Sequence, residues 1–209
     1  GGLGQEEPIA VPYGGRARVL HTNPIAFGFP AGEGKRMMFD FATTALSGVK
    51  VVNAQRRQEE LPPGCIVDRG GNSSTDPNDF FDGGGALPFG SHKGYAFMMA
   101  TEFLGRIFTG ADDYVDPRRA GPIMRHQGVT MIAFRADQFQ PFEDYASRAD
   151  EMLGRVRAIP PAPGFGEVLA PGDPEARTRA IRQRDGIPIA DDVWQSITDV
   201  AASLNIEVH

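Results

Sequence analysis

Only one cysteine, Cys65, stands in the 209 residues. An internal disulfide is thereby excluded, and the usage fits a reducing compartment. Basic clusters are missing as well: 21 Lys and Arg stand against 27 Asp and Glu, for a net charge of −6 and a pI near 5.2. That balance argues against nucleic acid and anionic membrane as partners. The most apolar segment is broken by Glu102 and Arg106, so no membrane span is expected. Nothing has the layout of a signal peptide, and the expected location is cytoplasmic. The four histidines, His21, His92, His126 and His209, show neither HxxxH nor HExxH spacing, so no metal site is expected. No GxGxxG follows a strand and no GxxxxGK[ST] occurs, which removes the doubly wound dinucleotide fold and the P-loop. The chain opens at Gly1 without methionine, in GGLGQEEP, which looks like the inside of a protein, and a fragment, a processed product or a truncated gene product is expected.

What is abundant is turn chemistry, with 26 glycines and 17 prolines, pointing to a loop-rich α/β build. The rest is organised around residues 83–110. Gly83, Gly84 and Gly85 lead through Leu87-Pro88-Phe89 to Gly90-Ser91-His92-Lys93-Gly94. From Tyr95 the residues Met98, Met99, Phe103 and Ile107 share a helical stripe widened by Phe97, Leu104 and Phe108, so a helix buried on most sides is expected, capped by Gly110. A helix N-terminus carries partial positive charge and unpaired N–H groups, and Lys93 adds a cation among glycines. Two readings stand side by side: a site for phosphate or carboxylate, or a glycine turn with a solvated lysine.

Along the chain, Ile25, Phe27 and Phe29 alternate within a strand over 19–30, and a turn at 31–36 leads to a short strand over 37–42. A helix is predicted over 44–54, capped by Thr43 or Thr44. A short strand follows at 66–68, then a long loop over 69–85 in which Thr75-Asp76-Pro77 is a turn. Residues 111–125 read as a charged loop. Residues 128–134, GVTMIAF, have the strongest strand composition in the chain. Helices are predicted over 142–157, 175–184 and 191–204, the last capped by Asp191 or Asp192, with a short strand at 167–169. Cys65 has no activating neighbour and reads as a passive thiol. Trp194 reads as core or interface, and Arg177, Arg179, Arg182 and Arg184 as a solvated face.

Four patches occur in a telling order: Thr22-Asn23-Pro24-Ile25-Ala26, Asp40-Phe41-Ala42-Thr43-Thr44, Ser74-Thr75-Asp76-Pro77, and Leu87-Pro88-Phe89-Gly90-Ser91-His92-Lys93-Gly94-Tyr95. Together they resemble the malate/L-lactate dehydrogenase family of the non-Rossmann type, which includes ureidoglycolate, sulfolactate and piperideine-2-carboxylate oxidoreductases. Pro160, Pro171-Gly172-Asp173 and Gly186-Ile187-Pro188 look like that family's C-terminal signature, so the resemblance covers essentially the whole chain.

The resemblance implies a homodimeric oxidoreductase using NAD or NADP on 2-hydroxy or 2-keto acids. It implies an α/β (α+β) fold, a largely antiparallel mixed sheet flanked by helices. Residues 1–170 would form the NAD(P)-binding domain, and 171–209 a helical segment packing on an N-terminal helical domain. By the same resemblance Thr22 hydrogen-bonds the substrate and Asn23 shapes that wall. Asp40, Phe41 and Ala42 form a cofactor-contacting strand end, and His92, Lys93 and Gly94 meet the cofactor at the helix start. Glu167, Val168, Leu169, Ala170, Pro171, Gly172 and Asp173 form a loop that closes over it. Two departures stand out: His21 and Ser91 occupy positions where such enzymes usually carry glycine. The family's catalytic histidine and substrate-binding arginine belong to an N-terminal helical region that would precede Gly1. The alternative reading is a non-catalytic cofactor-domain remnant acting as a binding or dimerising module.

Overall fold

The β1–β2 hairpin follows from the alternation at its start: β1 (Ile25–Pro30) pairs with β2 (Arg36–Phe41) across a single turn of 3₁₀ helix, Gly32–Gly34. The computed structural model describes residues 8–111 and 128–207. The expected loop at 111–125 lies outside them beyond residue 111, as do His126 and His209.

The chain divides into two units, one of Gly1–Phe27 with Phe39–Gln138, the other of Gly28–Met38 with Phe139–His209. In the first, β3 (Ile66–Val67) is the centre of a three-stranded antiparallel sheet. It pairs with β4 (Ser73–Ser74) and β5 (Gly85–Ala86), setting Ile66 opposite Ser74 and Ala86. Ile9, Leu20, Val51, Leu61, Cys65, Ile66, Phe80 and Met98 close the core around it. Burial pushes the Cys65 thiol pKa up, in keeping with a passive thiol.

Helix α1 spans Gly48–Arg57 and starts later than the sequence suggests. Thr43 and Thr44 are engaged elsewhere, so the cap falls to Ser47, whose side chain accepts from Lys50 N. The loop expected over 69–85 is more ordered than its composition suggests. It carries β4 and the short helix α2 (Pro77–Phe81), with Asp76 as N-cap accepting from Asn78 N at 2.9 Å and Pro77 in the first turn.

Helix α3 (His92–Glu102) begins three residues before the expected Tyr95 and passes into a π turn, Phe103–Ile107. The expectation of burial on most sides is not met. Only Gly94, Met98 and Glu102, one narrow i, i+4, i+8 stripe, are buried, while Phe103, Ile107 and Phe108 are exposed. Gly110 ends the turn at φ 63°, as its position suggests.

Residues 128–134 form no strand, nor do 167–169. Composition supplies β propensity, but a strand is defined by its ladder, and among the described residues nothing pairs with Val129, Met131 or Phe134, which stay exposed.

In the second unit, α4 (Phe142–Arg157) matches the amphipathic prediction and buries Ala146 and Leu153. Helix α5 spans Asp173–Asp185 and α6 spans Asp191–Ser203. The N-cap of α6 is Ala190, so Asp191 and Asp192 lie in the first turn instead of capping it. No described helix is long and apolar enough to cross a membrane.

Candidate functional site

The glycine-rich approach to α3 is a strained turn. Gly90 has φ 54°, and Ser91 adopts φ 63°, ψ −133°, a region that a side chain disfavours. A glycine at Ser91 would sit there freely, which gives a steric reason for the residue that the resemblance leads one to expect. Before the turn, the strap 87–89 lies along 43–45: Ala45 N donates to Leu87 O at 2.8 Å and Phe89 N to Thr43 O at 3.0 Å. After it, Gly94 is buried against Phe89, and a Cβ there would overlap the Phe89 carbonyl oxygen. The missing side chain is what lets α3 lie so close to the strap. His92 meets the Tyr13 ring edge-on at 6.0 Å. Lys93 is exposed in the first turn and pairs with none of the described residues.

The Thr22-Asn23 turn is pinned to the same place from two sides. Thr43, fully buried, donates its N–H to Thr22 O at 2.7 Å. Its hydroxyl lies 3.0 Å from Thr22 O and 3.1 Å from Asn23 O. Asn23 sits at φ 40°, a conformation asparagine tolerates better than most residues. Its buried side-chain NH₂ donates to Met98 O at 3.0 Å and to Glu102 Oε2 at 2.7 Å. Glu102 Oε1 in turn accepts from Arg106 at 2.9 Å. The half-buried Thr22 hydroxyl has no hydrogen-bond partner among the described residues. His21 beside it is half-buried too.

A train of rings joins these segments: Phe39 to Phe41 at 5.4 Å, Phe41 to Phe89 at 5.4 Å, and Phe89 to Phe97 at 6.3 Å. Asp40 is exposed between two of them, and Ala42 leads from Phe41 to Thr43. Thr22, Asn23, Phe41, Ala42 and Gly94 are therefore brought together around α3, with His92 and Lys93 at its mouth. The cluster lines neither the cleft of about 520 Å³ bounded by Phe29, Met38 and Phe142 nor that of about 510 Å³ bounded by Arg16, Arg18 and Arg69.

Glu167 to Asp173 belong to the second unit, where the segment is held by ions and backbone. Arg177 forks onto Glu167, and Arg157 forks onto Asp173 at 2.9 and 2.8 Å. Asp173 Oδ2 also accepts from Ala170 N at 2.8 Å. Pro171 O lies 3.4 Å from Met38 N, and Gly172, at φ 97°, would place a Cβ 3.1 Å from Met38 O. Ala170 is buried with Ala31 and Leu153, Val168 is half-buried and Leu169 exposed. The hydrogen bonds from Arg157 hold the Asp173 carboxyl below its usual pKa range, and Arg177 does the same for Glu167.

A sequence model of the malate/L-lactate dehydrogenase family matches residues 3–198. The chain belongs to that family. Over 208 residues it is 33% identical to the malate/(S)-sulfolactate dehydrogenase of Methanothermus fervidus, covering 97% of this chain and 58% of the relative. With the ureidoglycolate dehydrogenase (NAD(+)) of Escherichia coli K12 it shares 33% identity over 198 residues, 91% of this chain and 55% of that enzyme. The solved sulfolactate dehydrogenase of Methanocaldococcus jannaschii superposes with a TM-score of 0.81 at 33% identity, covering 96% of this chain and 58% of that one. The chain thus spans little more than half the length of these relatives. Its α/β class with small antiparallel sheets is the fold of these malate and sulfolactate dehydrogenase neighbours.

Three residues of this malate/L-lactate dehydrogenase family member were not assigned to the site by its sequence. Thr43 reads as a helix cap, and Glu102 and Arg106 read as interruptions of an apolar helix. The signal was present in the i, i+4 spacing of an acid and a base within that helix, a pattern that forms a side-chain pair.

Two outcomes follow from this geometry. Replacing Gly94 by Ala gains about 1 kcal/mol of helix propensity but meets a backbone oxygen, so stability falls by about 3 kcal/mol or more. Ser91→Gly relieves the turn and raises stability by up to about 1 kcal/mol. Urea unfolding of both variants measures this, and opposite signs are expected. The second concerns Asp173, whose folded pKa is depressed. Its contribution is complete above the ordinary Asp range, near pH 4, and is lost as pH falls through the folded value. Asp173→Asn is expected to be less stable by about 1 kcal/mol at pH 7 and to lose less than the wild type below pH 4. Urea midpoints between pH 7 and 2 decide it, and parallel acid limbs would refute it.

Proposed function

We propose that this chain is the cofactor-binding part of an NAD(P)-dependent oxidoreductase that interconverts a 2-hydroxy acid and a 2-keto acid. One observation carries the reading: three family-like segments converge on the mouth of α3, where the pinned, half-buried Thr22 keeps a hydroxyl without a hydrogen-bond partner among the described residues. The relatives support the substrate class, since they are named for malate, sulfolactate and ureidoglycolate. One of those names specifies NAD(+), and we keep both NAD and NADP in the reading.

The residues present fit a dinucleotide. Lys93 is an exposed cation at a helix N-terminus with no partner among the described residues, suited to a phosphate oxygen or an oxygen near the ribose. Asp40, exposed at the end of β2, accepts from a ribose hydroxyl or the carboxamide. Phe41 and Ala42 carry the chain past the same place, and His92 and Gly94 flank Lys93. We assign Glu167, Val168, Leu169, Ala170, Pro171, Gly172 and Asp173 to the cofactor as well, by resemblance. When bound, the nicotinamide would exchange a hydride with the substrate carbon. The chain's own part is to bind and orient: Thr22 donates to the acid, and Asn23 fixes the wall beside it.

The reading includes a homodimer. Helix α6 leaves Val193, Trp194, Ile197, Val200 and Leu204 exposed by 41% to 63%, a stripe that suits a covering element. We assign residues 171–209, which include it, to packing against a further helical region.

Titration with NADH and NADPH, followed by nicotinamide fluorescence, tests the proposal together with Lys93→Ala. A lysine in the first helical turn opposes the macrodipole, so the variant without cofactor should keep its Tm or gain up to about 1 kcal/mol. Its cofactor affinity should fall by about 1.5–3 kcal/mol, the scale of a charge-assisted hydrogen bond. No binding of either nucleotide at millimolar concentration, or equal dissociation constants for wild type and variant, would overturn the assignment.

A further inference from the structure

Glu102 is a carboxylate buried at the end of a largely apolar stretch of α3, only 8% exposed. Burying such a group is unfavourable unless it is paired and hydrogen-bonded, and here both oxygens are used. Oε1 takes the Arg106 guanidinium at 2.9 Å and Oε2 takes the Asn23 NH₂ at 2.7 Å. The second N–H of that amide goes to Met98 O, one turn earlier on the same face, so the amide has both donors satisfied. Directly after Glu102 the helix widens: Phe108 N donates to Phe103 O and Ala111 N to Arg106 O, five residues apart in each case. Such π turns recur at functional sites. Arg106, the cation on Glu102, lies within this one.

Asn23 is where this chain of contacts leaves α3. It is 75 residues from Met98 and 79 from Glu102 in sequence, and its φ of 40° aims the backbone of the Thr22-Asn23 turn. Thr43 reaches the two carbonyls of that turn, whereas the Asn23 side chain is hydrogen-bonded to Met98 and Glu102. The turn therefore has two anchors, the Thr43 hydroxyl on its backbone and the Glu102 carboxylate on its side chain. Between them the Thr22 hydroxyl has no hydrogen-bond partner among the described residues.

We infer that Glu102, held by Arg106, is a positioning residue: through the Asn23 amide it fixes the orientation of Thr22 towards a bound acid. The inference rests on Thr22 being acid-binding, as proposed above. A carboxylate serves this role better than an amide because it accepts from Arg106 and Asn23 at once. A glutamine would present its own NH₂ to one of the two donors.

Two variants separate positioning from folding. Glu102→Gln keeps the shape and removes one acceptor oxygen. Asn23→Gly keeps the positive φ without strain and removes the tether. Pyruvate, as the 2-keto acid probe, is titrated by saturation-transfer NMR in the presence of the reduced cofactor that binds. The cofactor itself is titrated by fluorescence. Both variants should bind pyruvate about tenfold more weakly or worse, the scale of a misplaced binding group, with cofactor affinity within about twofold of wild type. The double variant should bind no more weakly than Asn23→Gly alone, because both changes break one tether. Unchanged pyruvate affinity in Asn23→Gly overturns the inference while leaving the acid site in place. Parallel losses of pyruvate and cofactor overturn it as well, since they mark general loosening. A wild-type chain that binds cofactor but not pyruvate removes the acid site itself, and the inference with it. If Glu102→Gln fails to fold, Asn23→Gly alone decides the matter.

Discussion

A single hydroxyl with no access to solvent, that of Thr43, lies within hydrogen-bond reach of two carbonyls, Thr22 O and Asn23 O. The same residue closes the ladder on its other side, since its own carbonyl accepts from Phe89 N. Three separate segments are thereby indexed to one residue. Removing the hydroxyl would leave Thr22 O with the Thr43 N–H alone and would take from Asn23 O, on a buried residue, the side-chain donor within its reach. The order of the unit follows from this point: strap 87–89 on one side, turn 22–23 on the other, and α3 beneath both.

Much of this arrangement was legible in the sequence, though not its physical cause. The motif patches named the segments that meet, and the glycines before His92 pointed to a turn leading into a helix. What the patches did not disclose is who holds whom. Thr43 reads as a helix cap because caps are what threonines before a helical stretch usually are. A long-range bond to residue 22 carries no local signature. Asp76-Pro77 misleads in the other direction, since the same two residues that make a turn also begin a short helix.

The larger misreadings share one origin. Periodicity reports which residues could be buried, and burial needs a neighbour to supply it. Helix α3 has apolar side chains on most of its surface, yet only the Gly94–Met98–Glu102 stripe is fully covered, with Tyr95 and Met99 partly buried beside it. Residues 128–134 have the composition of a central strand and no ladder among the described residues. Helices α4 and α6 lie where the sequence places them because their starts are decided locally, by a proline at 141 and by acidic first turns. Fold class survived these errors because it depends on the mixture of elements, not on which face of each is covered.

The sequence separations across the unit that holds the candidate site have a consequence for how the site comes into being. Asn23 reaches 75 and 79 residues along the chain to its partners, and Arg18 reaches 62 and 66 to the carbonyls of Phe80 and Gly84. Contacts of that span reward the chain only after the intervening loop has been closed, an entropic loss that local helices such as α4 do not face. No short piece of this chain carries the site in miniature: a peptide bearing the residue 22–26 patch alone, or α3 alone, has none of the partners that give it shape. Folding of the whole unit and assembly of the site are one event.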